Sequence, residues 1–302
     1  MNWKNATISN NFMFRLVMEK QELCKPLLER ILDIRINKIV YVEPEKNLEA
    51  KLLSKGIRLD LYVEDEHGIA YDIEMQVDDR YKDYLGERSR YYLSMMDNDA
   101  LKKGEPYHKL RKSYIIFICL FDPFGLNLPK YTFTARCDEQ LDLKLNDGVS
   151  RIFLNCTGDR HKTTQALANL LNYIANGTVS DAYTATIEQE VVNFREDDGK
   201  EKLFMTYQQT LMEERMFARE EGLEEGRKEG RKEGRKEGRK EGRKEGRIEG
   251  RMEGRMEGKM ETIAQTVLKM FKHNMKIEDI ANIIELPTAQ IHSILKDASV
   301  VR

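Results

Sequence analysis

The chain has 302 residues, 40% of them apolar and 34% charged, with a net charge of −2. That length suits one sizeable core with appendages. A charged repeat over residues 222–258 carries +3 (five RKEG units at +1 each, less Glu224 and Glu225), which leaves −5 for the rest. Coating of nucleic acid by bulk charge is thereby excluded, and any such contact must use a local basic patch.

Cys24, Cys119, Cys137 and Cys156 are widely spaced, with no CxxC or Cys/His cluster. This argues against a zinc site or a secreted disulfide framework and predicts reduced, buried thiols in a cytoplasmic protein. The start of the chain has no charged-then-apolar signal pattern. No apolar run approaches the roughly 18 residues that would span a bilayer.

In chain order, residues 8–33 are predicted helical. Ser9, Asn10 and Asn11 offer N-cap chemistry, and Phe12, Leu16, Leu23, Leu27, Leu28 and Ile31 recur at helical spacing. Pro26 is expected to divide this stretch into two helices, since proline fits best in a first turn. Residues 36–42 alternate as a strand, and the polar residues 43–55 predict a loop.

Residues 56–76, GIRLDLYVEDEHGIAYDIEMQ, place two alternating apolar runs around His67-Gly68, the pattern of a β-hairpin. Glu74 and Gln76 are two apart and share a strand face, while Leu59, Leu61, Ile73 and Met75 occupy the alternate positions. If Asp60 faces the same side, two carboxylates and an amide oxygen converge. Clustered carboxylates repel, and hard oxygen ligands with room for water suit Mg²⁺. Such an ion can activate a water and neutralise charge on a phosphate.

Residues 80–103 predict a long helix stopped by Gly104 and Pro106. Arg88, Tyr91 and Tyr92 share a face of it. Arg88 and Arg90 could contact phosphates and a tyrosine could stack on a base or sugar. Equally, the tyrosines could be core and the arginines could pair with Glu87 or Asp83. Residues 113–121, SYIIFICLF, predict a strand buried on both faces and ended by Asp122-Pro123. Residues 131–136 and 151–155 are further strands. Residues 163–175 form a helix ended by Gly177, and 182–221 are helical. The order points to an α/β fold with a mixed sheet and helices packed on it.

GIRLDLY, YDIEMQ and the following RSRYY resemble the Rpn group, recombination-promoting nucleases and transposases of the PD-(D/E)XK superfamily. The resemblance runs from about residue 10 to residue 210, with the glycine-repeat tail and a helical end beyond. It implies a restriction-endonuclease-like mixed central sheet and a DNA endonuclease dependent on Mg²⁺ or Mn²⁺. It implies Asp60, Glu74 and the main-chain carbonyl of Met75 as metal ligands, with Gln76, where the usual pattern has Lys, positioning the attacking water. Arg88, Arg90 and Tyr91 become the expected DNA contacts. Relatives carry Asp where this chain has Asn11. That residue is either an accessory group beside the metal or simply a helix cap. The substitutions at Asn11 and Gln76 keep a second reading open, a catalytically weakened DNA-binding or assembly protein. Strand joining in place of hydrolysis, and RNA in place of DNA, also stay open.

The repeat places a glycine at every fourth residue, ten in all. Four residues advance 400° on an α-helix, so the stripe circles the helix. Ten glycines cost on the order of 10 kcal/mol against alanine, offset in part by pairs such as Glu225–Lys228 and Glu229–Lys232. This predicts a weak helix serving as a spacer, or close helix–helix contact through the glycines. Beyond it, residues 261–273, 277–284 and 289–295 form a small helical module resembling a helix-turn-helix, with Ala281 in its first helix and Thr288 as cap of its second. Gln290, His292, Ser293 and Lys296 are polar but hardly basic, so homo-oligomerisation is as good a reading as DNA reading. The expected domains are 1–200 for the nuclease-like part, 201–260 for the linker and 261–302 for the module.

Overall fold

The computed structural model describes residues 2–48 and 56–298. They divide into two compact units, with the break after residue 210.

The first unit opens with α1 (Asn11–Met18) and α2 (Gln21–Leu32). Asn10 is the cap of α1, its side chain accepting from the N–H groups of Phe12 and Met13. Pro26 does not divide the stretch, as its place in the sequence had suggested. It lies within α2, and the break falls before it, between Met18 and Gln21.

Six strands then form one sheet in the order β1-β2-β3-β4-β6-β5. β1 (Ile39–Leu48), β2 (Ile57–Asp65) and β3 (Ala70–Gln76) pair antiparallel. β1 therefore includes residues 43–48, which polarity alone had assigned to a loop; residues 49–55 lie outside the described residues. A 3₁₀ turn (Asp79–Tyr84) leads into α3 (Leu85–Ala100), shorter than the helix expected over 80–103. β4 (Ser113–Cys119) pairs parallel with β3 and with β6 (Val149–Asn155), and β5 (Lys130–Phe133) closes the edge antiparallel to β6. α4 (Gln165–Asn176) and α5 (Ala182–Glu196) follow. Gly177 ends α4 at φ 78°, a left-handed position that favours glycine.

Two apolar clusters flank this mixed sheet. One joins β-strand residues such as Leu61, Ile73 and Ile116 to α1, α2, α4 and α5. The other joins Ile115, Phe117 and Phe153 to Leu85, Leu93 and Met96 of α3. Cys24, Cys119 and Cys156 are buried in the first unit, and burial pushes each thiol up to about 12. Cys137 is partly exposed, against the expectation that all four would be buried.

α6 (Asp198–Lys272) runs on through the repeat. The repeat is exposed, and a Cβ at any of its ten glycines would meet no described atom within 4 Å. Glu224 pairs with Lys228 one turn on, in place of the expected Glu225–Lys228 pairing. In the second unit, Val267 of α6 packs with Ile280 and Ala281 of α7 (Ile277–Ile284) and Ile291 and Leu295 of α8 (Thr288–Asp297). Pro287 precedes α8 and no side chain caps it, so Thr288 begins that helix and does not cap it. Among the described residues, no helix is long and apolar enough to cross a membrane.

Candidate active site

The hairpin of β2 and β3 is closed by its turn. The Asp65 carboxylate accepts the N–H groups of His67 and Ile69 at 2.9 and 3.0 Å and the Tyr71 hydroxyl at 2.8 Å. Gly68 takes φ 71° there, as the tight turn requires. Regular pairing runs from Glu64↔Ala70 to Leu61↔Ile73 and stops. Beyond that point side chains replace the ladder. The Asp60 N–H donates to Glu74 Oε1 at 2.7 Å, and the Met75 N–H donates to Asp60 Oδ2 at 3.2 Å. The two carboxylates thus occupy the opening between strands that have parted.

A second irregularity lies at Asp60 on the other flank of β2. Glu45 of β1 sits at φ 56°, in the left-handed region, and falls between the paired positions Pro44↔Leu61 and Lys46↔Leu59. Leu59 packs into the cluster beneath α3, whereas Leu61 packs into the opposite one. Strict alternation would put both on one face; the strand switches faces at Asp60 although its pairing with β1 keeps one-for-one register on either side.

On β3, Asp72, Glu74 and Gln76 stand two apart and are all buried. α3 delivers Arg88 onto them. Its guanidinium donates to Glu74 Oε2 at 2.5 Å, to Gln76 Oε1 at 2.8 Å and to the Tyr92 hydroxyl at 2.9 Å. The Gln76 amide is fixed at its other end, where Nε2 donates to the Asp78 carbonyl at 2.7 Å. Arg88 therefore pairs with Glu74, neither of the acids, Glu87 and Asp83, that helix spacing had offered it.

Asp72 was not singled out in the sequence, although its spacing from Glu74 placed it on the same face. It is fully buried, and neither carboxyl oxygen has a hydrogen-bond donor. Desolvation, and then the charges of Glu74 and Asp60, raise its pKa well above the usual carboxylate range. Two acceptors facing each other are satisfied only when a proton or a cation lies between them. Desolvation and the charge of Asp60 push Glu74 up to about 8, against the pull of Arg88. Asp60 is raised by desolvation too, countered by the Met75 N–H and by Arg15, Arg88 and Arg58.

This donor set fits a hard divalent cation. Asp60 and Glu74 offer carboxylate oxygens in one opening, and a cation there would offset the cost of charging carboxyls that desolvation holds above their usual range. Among the described residues, no group of three carboxylate, histidine or cysteine side chains forms a ready cage. Two carboxylates leave most of the coordination shell to water, which is the habit of Mg²⁺.

Next to these residues lies a groove of about 770 Å³ lined by Arg58, Tyr81, Tyr84, Arg88, Tyr91 and Tyr92 among others. Arg88 and Tyr91 thus share one surface. Arg90 is exposed and lies outside that lining. Asn11 is the first residue of α1 and half-buried, with Asn10 in the capping role. One turn on, Arg15 is buried and within electrostatic reach of Asp60.

No curated protein and no solved structure matches the chain. One family model, described as PD-(D/E)XK nuclease family transposase, matches residues 9–221. That span takes in the whole sheet, the helices covering it and the parted hairpin, and the chain belongs to the PD-(D/E)XK nuclease family transposases.

Proposed function

We propose that the protein is a Mg²⁺- or Mn²⁺-dependent endodeoxyribonuclease that hydrolyses phosphodiester bonds in the service of recombination or mobile DNA. The crossed hydrogen bonds of Asp60 and Glu74 carry this reading, because they hold two carboxylates at one opening beside a cationic side chain. Asp60, Glu74 and the Met75 carbonyl would hold a divalent ion, which would supply an activated water and neutralise charge on the phosphate.

The chain's own residues do the rest. Gln76, with its amide tied at both ends, orients the attacking water. It brings no charge of its own, but Arg88 bonds to its oxygen and so sets a positive charge where the usual pattern has Lys. With its Glu74 partner engaged elsewhere, the Arg88 fork matches a phosphate. Tyr91 flanks the approaching strand from the groove.

Supercoiled-plasmid nicking with Mg²⁺ tests the reading. Asp60→Asn and Glu74→Gln keep size and shape, and each should reduce nicking on the order of a hundred-fold or more. Equal nicking by wild type and both variants would remove the site.

A further inference from the structure

The tyrosines of the groove are more than the core requires. Tyr81 and Tyr84 belong to the 3₁₀ turn before α3, which contains no buried residue, and they are 57% and 65% exposed. Neither belongs to an apolar cluster, so packing does not account for them. Large apolar surface gathered at one groove marks a binding surface. The groove that these rings line contains Tyr91 and Tyr92 as well. It also contains two arginines. Arg58 is exposed and only loosely paired, its Nε 3.9 Å from Glu45, and Arg88 reaches from here to Glu74. A volume of about 770 Å³ is that of a ligand site.

Exposed tyrosine rings in a groove that also holds guanidinium groups match one kind of nucleic acid. Bases stack on tyrosine with little regard to sequence, while arginine meets the phosphates between them. A duplex keeps its base faces stacked on each other and shows only edges and backbone. We infer that the groove receives unstacked bases of a single strand, at an end or an opened segment, and so sets single-stranded or unpaired DNA as the preferred substrate. The inference rests on the nuclease reading above and names the substrate of the same site. Stacked bases in the groove would fix the strand beside Asp60 and Glu74, with Arg58 and Arg88 on its phosphates. Glu87, on the same wall, limits the positive charge there, so rings contribute most of the preference.

The test is fluorescence anisotropy on the full chain in EDTA, where no cleavage occurs, with a labelled single-stranded oligonucleotide and the same oligonucleotide in duplex. Wild type should bind the single strand more tightly. Tyr81→Ala/Tyr84→Ala should weaken single-strand binding about ten-fold or more and leave duplex binding unchanged. Tyr81→Phe/Tyr84→Phe should retain it, since the ring and not the hydroxyl stacks. Both tyrosines are exposed, and unchanged thermal melts of the variants confirm that they fold. Equal affinity for both oligonucleotides, or no loss in the alanine variant, would overturn the inference. Plasmid nicking by wild type and Asp60→Asn separates the two claims. Ring-independent binding with Asp60-dependent nicking sinks the groove alone, and ring-dependent binding with Asp60-independent nicking sinks the nuclease alone.

Discussion

Arg88 of α3 and Glu74 of β3 form an ion pair at 2.5 Å, with Glu74 almost fully buried and Arg88 about one-third exposed. The guanidinium therefore stands where positive charge is needed before any metal arrives. Arg88→Ala would leave a buried carboxylate without its partner. We expect a loss of about 2–3 kcal/mol in metal-free stability, below the usual cost of breaking a buried pair because solvent reaches the arginine. Mg²⁺ should then raise the melting temperature more in the variant than in wild type, because the ion replaces the lost charge. Thermal melts with EDTA and with Mg²⁺ measure both. Identical melts of the two proteins in EDTA would show that the pair contributes nothing.

The hairpin was legible because its signals are local. His67-Gly68 needs a turn, and period-two alternation places Glu74 and Gln76 together. The partner of Arg88 was not legible, since sequence spacing offered only acids on the same helix, and Glu74 lies on another element. β1 was cut short for a similar reason. Residues 43–48 are polar because the strand is half-exposed at the sheet edge, and polarity imitates a loop. Asp72 passed unnoticed because a single acid in a strand is ordinarily solvated; its place between β2 and β4, under the cover of α3, buries it. Pro26 misled because one missing hydrogen bond is tolerated where Leu23, Leu27 and Leu28 are all buried in the core.

Asp72 faces Glu74, and burial keeps a proton on Asp72 to bridge the two carboxyls. Asp72→Asn places an amide donor at the same position with almost no change of shape. The amide replaces the O–H that the protonated Asp72 offers Glu74, so the variant should match wild type to within about 1 kcal/mol. Urea unfolding at pH 8, with Asp72→Ala as the cavity-forming control, checks it. A variant less stable than wild type by more than that would mean that the carboxyl has a partner that Asn cannot serve.

Asp181 joins three helices. Its carboxylate accepts from the Thr184 N–H at 2.9 Å in a capping box at the start of α5, from Arg30 of α2 at 2.7 Å and from Asn169 of α4 at 3.0 Å. Burial opposes its charge, but these donors outweigh burial and hold its pKa well below the usual carboxylate range. The unfolded chain therefore binds the proton first, and stability rises with pH through that window. The contribution is complete above the unfolded value of about 3.9 and is lost as pH falls toward the folded value. Asp181→Ala should cost about 1–2 kcal/mol at pH 7. The difference from wild type should narrow below about pH 4. Urea unfolding across that range would reject the assignment if the difference stayed constant.

The ten glycines of the repeat separate two roles for α6. Each lies in open space among the described residues, so alanine would fit without a clash. Helix propensity then favours the substitution by about 1 kcal/mol per position. Replacing Gly230, Gly234, Gly238 and Gly242 by alanine should increase ellipticity at 222 nm on heating and slow amide exchange in the repeat. If the repeat is a spacer, plasmid nicking and the mass of the full chain in light scattering should both stay unchanged. If instead helices from separate copies approach through the glycines, the added methyl groups would keep them apart, and the mass would fall. Open space at every glycine of the single chain accommodates alanine under either reading, so the mass decides between them. A loss of mass on alanine substitution would move the contact into the repeat itself.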